Sequence, residues 1–248
     1  MKSAIVTGAA RGIGLATTRR LLREGWRVAM VDYDAAELAR AAEPLENVRT
    51  FDTDVSKPDD IAALAAALSD WHAVHGLVNN AGLATFGPME QTGLDAWRAV
   101  MATNLDGAFQ MTQTFTPHLK AAGGAGIVNI TSISGLRAST LRVAYGTSKA
   151  ALAHLTQQQA VELGEYGIRA NAVAPGPVRT KLAMAVHTQD IIDAYHDAIP
   201  LNRYGSEDEL ANAIHFLLSD EASYITGQIL AVDGGFEATG IGLPALRS

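Results

Sequence analysis

The chain has 248 residues, 48% hydrophobic and 6% aromatic, with 19 Lys and Arg against 26 Asp and Glu for a net charge of −7. That is enough apolar material for a large core, and an acidic balance without a basic run excludes a nucleic-acid face. The chain has no cysteine, which excludes disulfides, thiolate catalysis and cysteine metal sites, and no apolar run approaches the ~18 residues of a membrane span. The start, M-K-S-A-I-V-T-G, has too short an apolar stretch for a signal peptide, so the expected location is the cytosol.

Ala4–Thr7 reads as a short apolar strand running into T-G-A-A-R-G-I-G and then a helix to about Arg23. Gly8, Gly12 and Gly14 let the backbone turn tightly and approach a phosphate, which a helix N-terminus attracts; Arg11 and Ile13 lie between them. The spacing G-x-x-x-G-x-G differs from the standard dinucleotide fingerprint. Arg27–Asp32 is a second strand with Asp32 at its carboxyl end, 18 residues (32 − 14) after Gly14. An acid there suits the adenosine ribose hydroxyls and repels a 2′-phosphate, favouring NAD over NADP. Arg11 is the counter-evidence, since a cation in the loop could meet a 2′-phosphate, while Tyr33 adds no second cation. Asp32 as a helix cap and Arg11 as a solvated side chain are the plainer alternatives.

A helix follows over Asp34–Glu43 and a third strand over Val48–Asp52. Asp54 or the neighbouring Val55 amide could contact an adenine edge; alternatively Asp54 caps the helix expected over Asp59–Leu68. His72 and His75 lack a nearby third metal ligand and read as solvated. Gly76–Val78 is a fourth strand ending in N-N-A-G, where small residues allow close approach of a cofactor to Asn80, Ala81 and Gly82, and asparagine amides can tie strands together. Leu94–Ala121 is long enough for one extended helix. Asn104 inside it is a poor helix former that either distorts the helix and frees a carbonyl for water or makes a buried hydrogen bond.

Ile127–Lys149 reads as a buried strand, a loop carrying Ser132, and the start of a helix on which Tyr145 and Lys149, four apart, share a face. A hydroxyl, a phenol and an ammonium then meet one small substrate. A free tyrosine titrates near pH 10, and a nearby ammonium favours the phenolate and lowers that value, which suits proton transfer at an alcohol or carbonyl. Arg137 and Arg142 lie in the loop between Ser132 and Tyr145; they either bind an anionic group on the substrate or are solvated.

The helix continues to about Leu163, and Arg169–Ala174 is a sixth strand. Pro175, Gly176 and Pro177 force a sharp turn into Val178, Arg179 and Thr180, and Thr180 could bond a carboxamide. Residues 181–204, with His187 and His196, read as a helical lid. Glu207–Leu218 is a helix, Gln228–Val232 a last strand ending in Asp233-Gly234-Gly235, and Gly240–Ser248 has no core pattern. No repeat or linker divides the chain. About seven strands alternating with helices imply one α/β domain over 1–248, a doubly wound parallel sheet covered on both faces. Ligands of such sheets bind outside the strand carboxyl ends, where all these motifs converge.

With the motifs in that order and spacing, the chain resembles a classical short-chain dehydrogenase/reductase from Ala4 to Gly235. The resemblance implies a Rossmann-type fold, a homotetramer, and reversible hydride transfer between a nicotinamide cofactor and an alcohol or carbonyl. It implies Tyr145 as general base, Lys149 on the nicotinamide ribose, Ser132 on the substrate oxygen, and Asn104 supporting a water relay to Lys149. The favoured reading is NAD-dependent oxidation of a sugar, polyol or hydroxy acid, with no metal. An NADP-dependent reductase of 3-oxoacyl thioesters shares every motif, and a nucleotide-sensing binding protein would keep the fold without turnover.

Overall fold

A computed structural model describes residues 1–180, 184 and 187–240. In chain order these form β1 (Ser3–Thr7), α1 (Gly12–Arg23), β2 (Arg27–Asp32), α2 (Ala35–Ala42), β3 (Val48–Asp52), α3 (Pro58–Ala67), β4 (Gly76–Asn79), α4 (Leu94–Met101), α5 (Gly107–Ala121), β5 (Ala125–Ile130), a single turn α6 (Ile133–Leu136), α7 (Val143–Leu163), β6 (Ile168–Pro175), α8 (Gln189–Ala198), α9 (Glu207–Leu218) and β7 (Ile229–Val232). The strands make one parallel sheet in the order β3-β2-β1-β4-β5-β6-β7. The order reverses between β1 and β4, and the crevice at that switch point is where such sheets take ligands.

Successive strand residues point to opposite faces, and both faces are apolar. Ala4, Val6, Val28, Met30, Val78, Val128 and Val173 pack with Leu21 of α1, Leu38 of α2 and Leu210, Ile214 and Leu217 of α9. Ile5, Ala29, Val31, Leu77, Ile127 and Ala170 pack with Ile61 and Leu64 of α3 and Met111, Phe115 and Leu119 of α5. This is why the central strands read as continuous apolar runs.

The long helix expected over Leu94–Ala121 is interrupted. Ala102–Asp106 forms a π turn between α4 and α5, and the Gly107 N–H reaches back to the Ala102 carbonyl. Asn104 lies inside it, so the expected distortion is present. Of the expected lid, α8 is helical, capped by the Thr188 side chain on the Ile191 N–H; residues 181–183 and 185–186, and 241–248 of the tail, lie outside the described residues. His72 is exposed as expected, and His75 is half-buried, its Nδ1 accepting the Ser3 N–H at 3.2 Å. No helix among the described residues is long and apolar enough to cross a membrane.

Candidate active site

The glycine loop leaves β1 and starts α1. Gly8 has φ +63°, in the left-handed region, and a Cβ on Gly14 would sit 2.1 Å from the Gly8 carbonyl oxygen, so neither position accepts a side chain. Arg11 precedes α1 without capping it, and Gly12, Ile13 and Gly14 form the first turn. Its orphan N–H groups and positive dipole end suit a phosphate. Asn80 holds this loop from the end of β4: its Nδ2 donates to the Thr7 and Gly8 carbonyls at 2.9 and 3.1 Å. The Asn80 and Ala81 N–H groups both donate to Thr7 Oγ1 at 2.9 and 3.0 Å. The strand-tying role expected of N-N-A-G is therefore met, and Thr7 is its overlooked partner, although it opens the glycine stretch.

Asp32 is buried at the end of β2, where its carboxylate accepts the Ala10 N–H at 3.0 Å and the Asp34 N–H at 3.1 Å. Its carboxylate thus joins the glycine loop to β2 while still standing at the strand's carboxyl end. Arg11 is ion-paired with Asp34 while its side chain stays exposed. Burial works to lower the Arg11 pKa, but Asp34, Asp32 and Glu37 outweigh it and the net shift is upward.

Asp54 is turned inward on its own loop. Its Oδ1 accepts the Ser56 N–H at 3.0 Å and the Ser56 hydroxyl at 2.7 Å, ahead of α3, whose preceding residue is Lys57. Burial alone would raise its pKa; the Ser56 and Lys57 contacts bring it below the usual carboxylate value. Val55 is buried, and a Cβ on Gly107 would come within 2.7 Å of its carbonyl. At the end of β6, Gly176 packs so closely on Asp233 that a Cβ would lie 2.6 Å from the Asp233 Cβ. Pro175 pairs with Val232, Val178 is buried opposite Gly205, and the Thr180 N–H donates to the Val178 carbonyl at 2.8 Å.

Ser132 follows β5 and caps α6, its Oγ accepting the Ser134 N–H at 3.1 Å. Because that lone pair is taken by a backbone donor, the hydroxyl hydrogen is left for an oxygen acceptor. Tyr145 and Lys149 share the inner face of α7, with Lys149 Nζ 5.8 Å from the tyrosine ring centroid. Lys149 is 3% exposed and its Nζ donates to the Ile130 carbonyl at 2.7 Å. Asn104 pairs with both backbone groups of Leu83, accepting its N–H at 2.7 Å and donating to its carbonyl at 2.9 Å, and donates to Ser148 Oγ at 2.9 Å. Its side chain is thus a buried, saturated bridge. A Cβ on Gly82 would lie 3.4 Å from Lys149 Nζ and 3.5 Å from Asn104 Oδ1, so these three residues border one small space.

The electrostatics correct one expectation. Burial pushes the Tyr145 phenol above its ordinary 10, although the Ser132 hydrogen bond and Arg142 act to lower it. Burial also drives Lys149 down to about 8. Desolvation therefore outweighs the expected lowering of the phenol: leaving water disfavours phenolate and ammonium alike.

The two arginines part company. Arg137 turns away to the chain's end, donating to the Thr239 carbonyl at 2.8 Å and the Glu237 carbonyl, with the Glu237 carboxylate 3.4 Å away. It stays exposed, with its donors engaged by these contacts and not turned toward a substrate. Arg142 stays at the mouth of the site, its guanidinium 4.7 Å from the Phe86 ring centroid and 5.5 Å from that of Tyr145. Phe86, in the loop after β4, carried no sequence pattern that pointed to it. His187 faces the same space: its Nδ1 is 2.9 Å from the Tyr204 hydroxyl, and burial, then Arg142, hold its pKa below the usual value. Among the described residues no cluster of three or more His, Asp or Glu could hold a metal ion.

Comparison with known proteins agrees over nearly the whole chain. The family model described as "Enoyl-(Acyl carrier protein) reductase" matches residues 8–237. The chain is 36% identical over 243 residues to 2-(S)-hydroxypropyl-CoM dehydrogenase 3 of Xanthobacter autotrophicus, covering 94% of this chain and 95% of that protein. It is 37% identical over 241 residues to a 3-oxoacyl-[acyl-carrier-protein] reductase of Staphylococcus epidermidis, covering 94% and 98%. Among solved structures, a short-chain type dehydrogenase/reductase from Mycobacterium ulcerans superposes with a TM-score of 0.93 at 32% identity, over 99% of this chain and 93% of that one.

Proposed function

The chain belongs to the short-chain dehydrogenase/reductase family, oxidoreductases of alcohols and carbonyls, and from that premise we propose that it oxidises a small secondary alcohol with NAD, the reverse reduction sharing the same site. The observation that carries this reading is the meeting of Ser132, Tyr145 and Lys149 at the carboxyl end of β5, beside the glycine loop.

The residues present fit a nicotinamide dinucleotide. The close-packed Gly8–Gly14 cradle and the first turn of α1 would take its pyrophosphate, Asp32 its adenosine ribose, and Ala81, Gly82, Pro175, Gly176, Val178 and Thr180 its nicotinamide half. When bound, the nicotinamide supplies the hydride acceptor. Ser132 would hold the substrate oxygen by a donated hydrogen bond, and Tyr145 would take the hydroxyl proton on its phenolic oxygen. Lys149 would bind the nicotinamide ribose and, where charged, favour the phenolate. Asn104 would fix the π turn and the Gly82 neighbourhood, so that a water there can reach Lys149. NAD is favoured over NADP because Asp32 stands where a 2′-phosphate would lie and Arg11 is engaged by Asp34. Assembly as a homotetramer is part of the same proposal.

The test is NADH formation followed by absorbance with a panel of sugars, polyols, hydroxy acids and hydroxyacyl thioesters, with NADP and Tyr145→Phe in parallel. Turnover with NAD that vanishes in the variant supports the proposal. Turnover only with NADP and the thioesters supports the second reading, an acyl-thioester reductase, which the Staphylococcus epidermidis relative's name favours. Cofactor binding with no turnover of any substrate counts against both.

A further inference from the structure

Arg142 is a guanidinium at the mouth of the site with no carboxylate bonded to it among the described residues. It immediately precedes α7, three residues before Tyr145, and its guanidinium lies 4.7 Å from the Phe86 ring centroid and 5.5 Å from that of Tyr145. Ring contacts leave the N–H edges of a guanidinium unpaired, and five donors in a fixed fork match a carboxylate bidentately. The groups that share this space are Phe86, Tyr145 and His187, none of which is a carboxylate. Arg137, the other cation of the loop, is consumed by Glu237 and Thr239.

We propose that Arg142 anchors a carboxylate on the substrate, so that the natural substrate is a compact hydroxy acid. The proposal rests on the reading of the site as an alcohol dehydrogenase and narrows its substrate class. The anchor stands 5.5 Å from the centroid of the ring whose hydroxyl faces the reacting oxygen. An acid and a carbinol carbon joined by a few carbons span that separation. Neutral alcohols of the same shape lack the pairing, and acids too short to reach both points gain nothing from it.

The test uses acid and amide pairs of one skeleton: 2-hydroxypropanoate, 3-hydroxybutanoate and 4-hydroxycyclohexanecarboxylate, each against its carboxamide. Binding is read by calorimetry in the Tyr145→Phe background, with and without NAD, and turnover as kcat/KM in the wild type. The expected result is a preference of about tenfold to a hundredfold for the acid in at least one pair, in line with a hydrogen bond to a charged group. Arg142→Gln should abolish that preference through KM, Arg142→Lys should keep part of it, and Arg137→Gln should leave the ratio unchanged. Because Arg142 also acts on the Tyr145 phenol, the amide of each pair serves as the control for any change in the chemistry. Equal losses for acid and amide, a preference that survives Arg142→Gln, or no acid preference in any pair overturns the anchor. Acid-selective binding without turnover would overturn the dehydrogenase reading and leave the anchor standing.

Discussion

The Lys149 ammonium donates to the Ile130 carbonyl at 2.7 Å, and among the described residues no carboxylate is ion-paired with it. A buried cation held by one carbonyl is costly, and its pKa falls from 10.5 to about 8. Below pH 8 both folded and unfolded chains carry the charge, so the burial penalty is fully present. Between 8 and 10.5 the unfolded chain binds more protons, so this group's contribution makes stability rise with pH. Lys149→Met is therefore expected to be more stable than the wild type at pH 7, by about 1–3 kcal/mol after loss of the hydrogen bond. That advantage should shrink toward pH 10. Urea unfolding of both proteins at the two pH values reads it; a variant equally destabilised at both would contradict it.

The raised Tyr145 phenol sets a direction for activity. Oxidation needs the phenolate and reduction the phenol, and kcat/KM reports the free enzyme's groups. Oxidation kcat/KM is expected to go on rising through pH 9, while reduction does not fall until the phenol ionises. A plateau of oxidation below pH 8 would show that the phenol is lowered in the free chain after all.

Gly135 has no room for a side chain because α6 lies against the backbone of the catalytic helix: a Cβ would come within 2.6 Å of the Lys149 carbonyl carbon. Gly135→Ala must push α7, and with it Tyr145 and Lys149, away from Ser132. The expectation is a drop in kcat of tenfold or more, since displacement of about 1 Å can cost roughly a hundredfold. An unchanged kcat would show that α7 keeps its catalytic side chains in place despite the clash.

Asn104 shows how far the residues alone could be read. A polar residue in a helix that is otherwise long and regular signalled a distortion, and the π turn is there. Its partner, the Leu83 backbone, is 21 residues away in a loop without periodicity, so the pairing is visible only in three dimensions. The strands were legible because burial on both faces demands unbroken apolar runs, and Gly8, Asp32 and Ser132 because each stands at or just past the end of one. Phe86 and the Glu237–Arg137 contact were not, since loop side chains meet through the fold and not through spacing. The sign of the Tyr145 shift was missed for the same reason: a sequence shows that an ammonium is near, but not how much water both groups lose. Asn104→Ala removes the partner of both part-buried Leu83 backbone groups and of Ser148 Oγ. It is expected to cost about 1–3 kcal/mol in denaturant unfolding, from three lost hydrogen bonds at about 0.5–1.5 kcal/mol each, with water partly replacing those to Leu83.

Cofactor choice turns on which acid holds Arg11. Its guanidinium is tied to Asp34, and the carboxylate facing the ribose position belongs to Asp32. Asp34→Asn removes the ion pair while keeping an oxygen to accept the Glu37 N–H that starts α2. The freed guanidinium would then be able to meet a 2′-phosphate, whereas Asp32 would still repel it. The expected outcome is a rise of severalfold in kcat/KM with NADP and a change of less than twofold with NAD. Adding Asp32→Ser should reverse the preference, because the repulsion goes while the cation stays, and two charge effects of about 1–2 kcal/mol each amount to roughly a hundredfold. Should Asp34→Asn leave the NADP rate untouched, Arg11 cannot reach the phosphate, and Asp32 alone sets the preference.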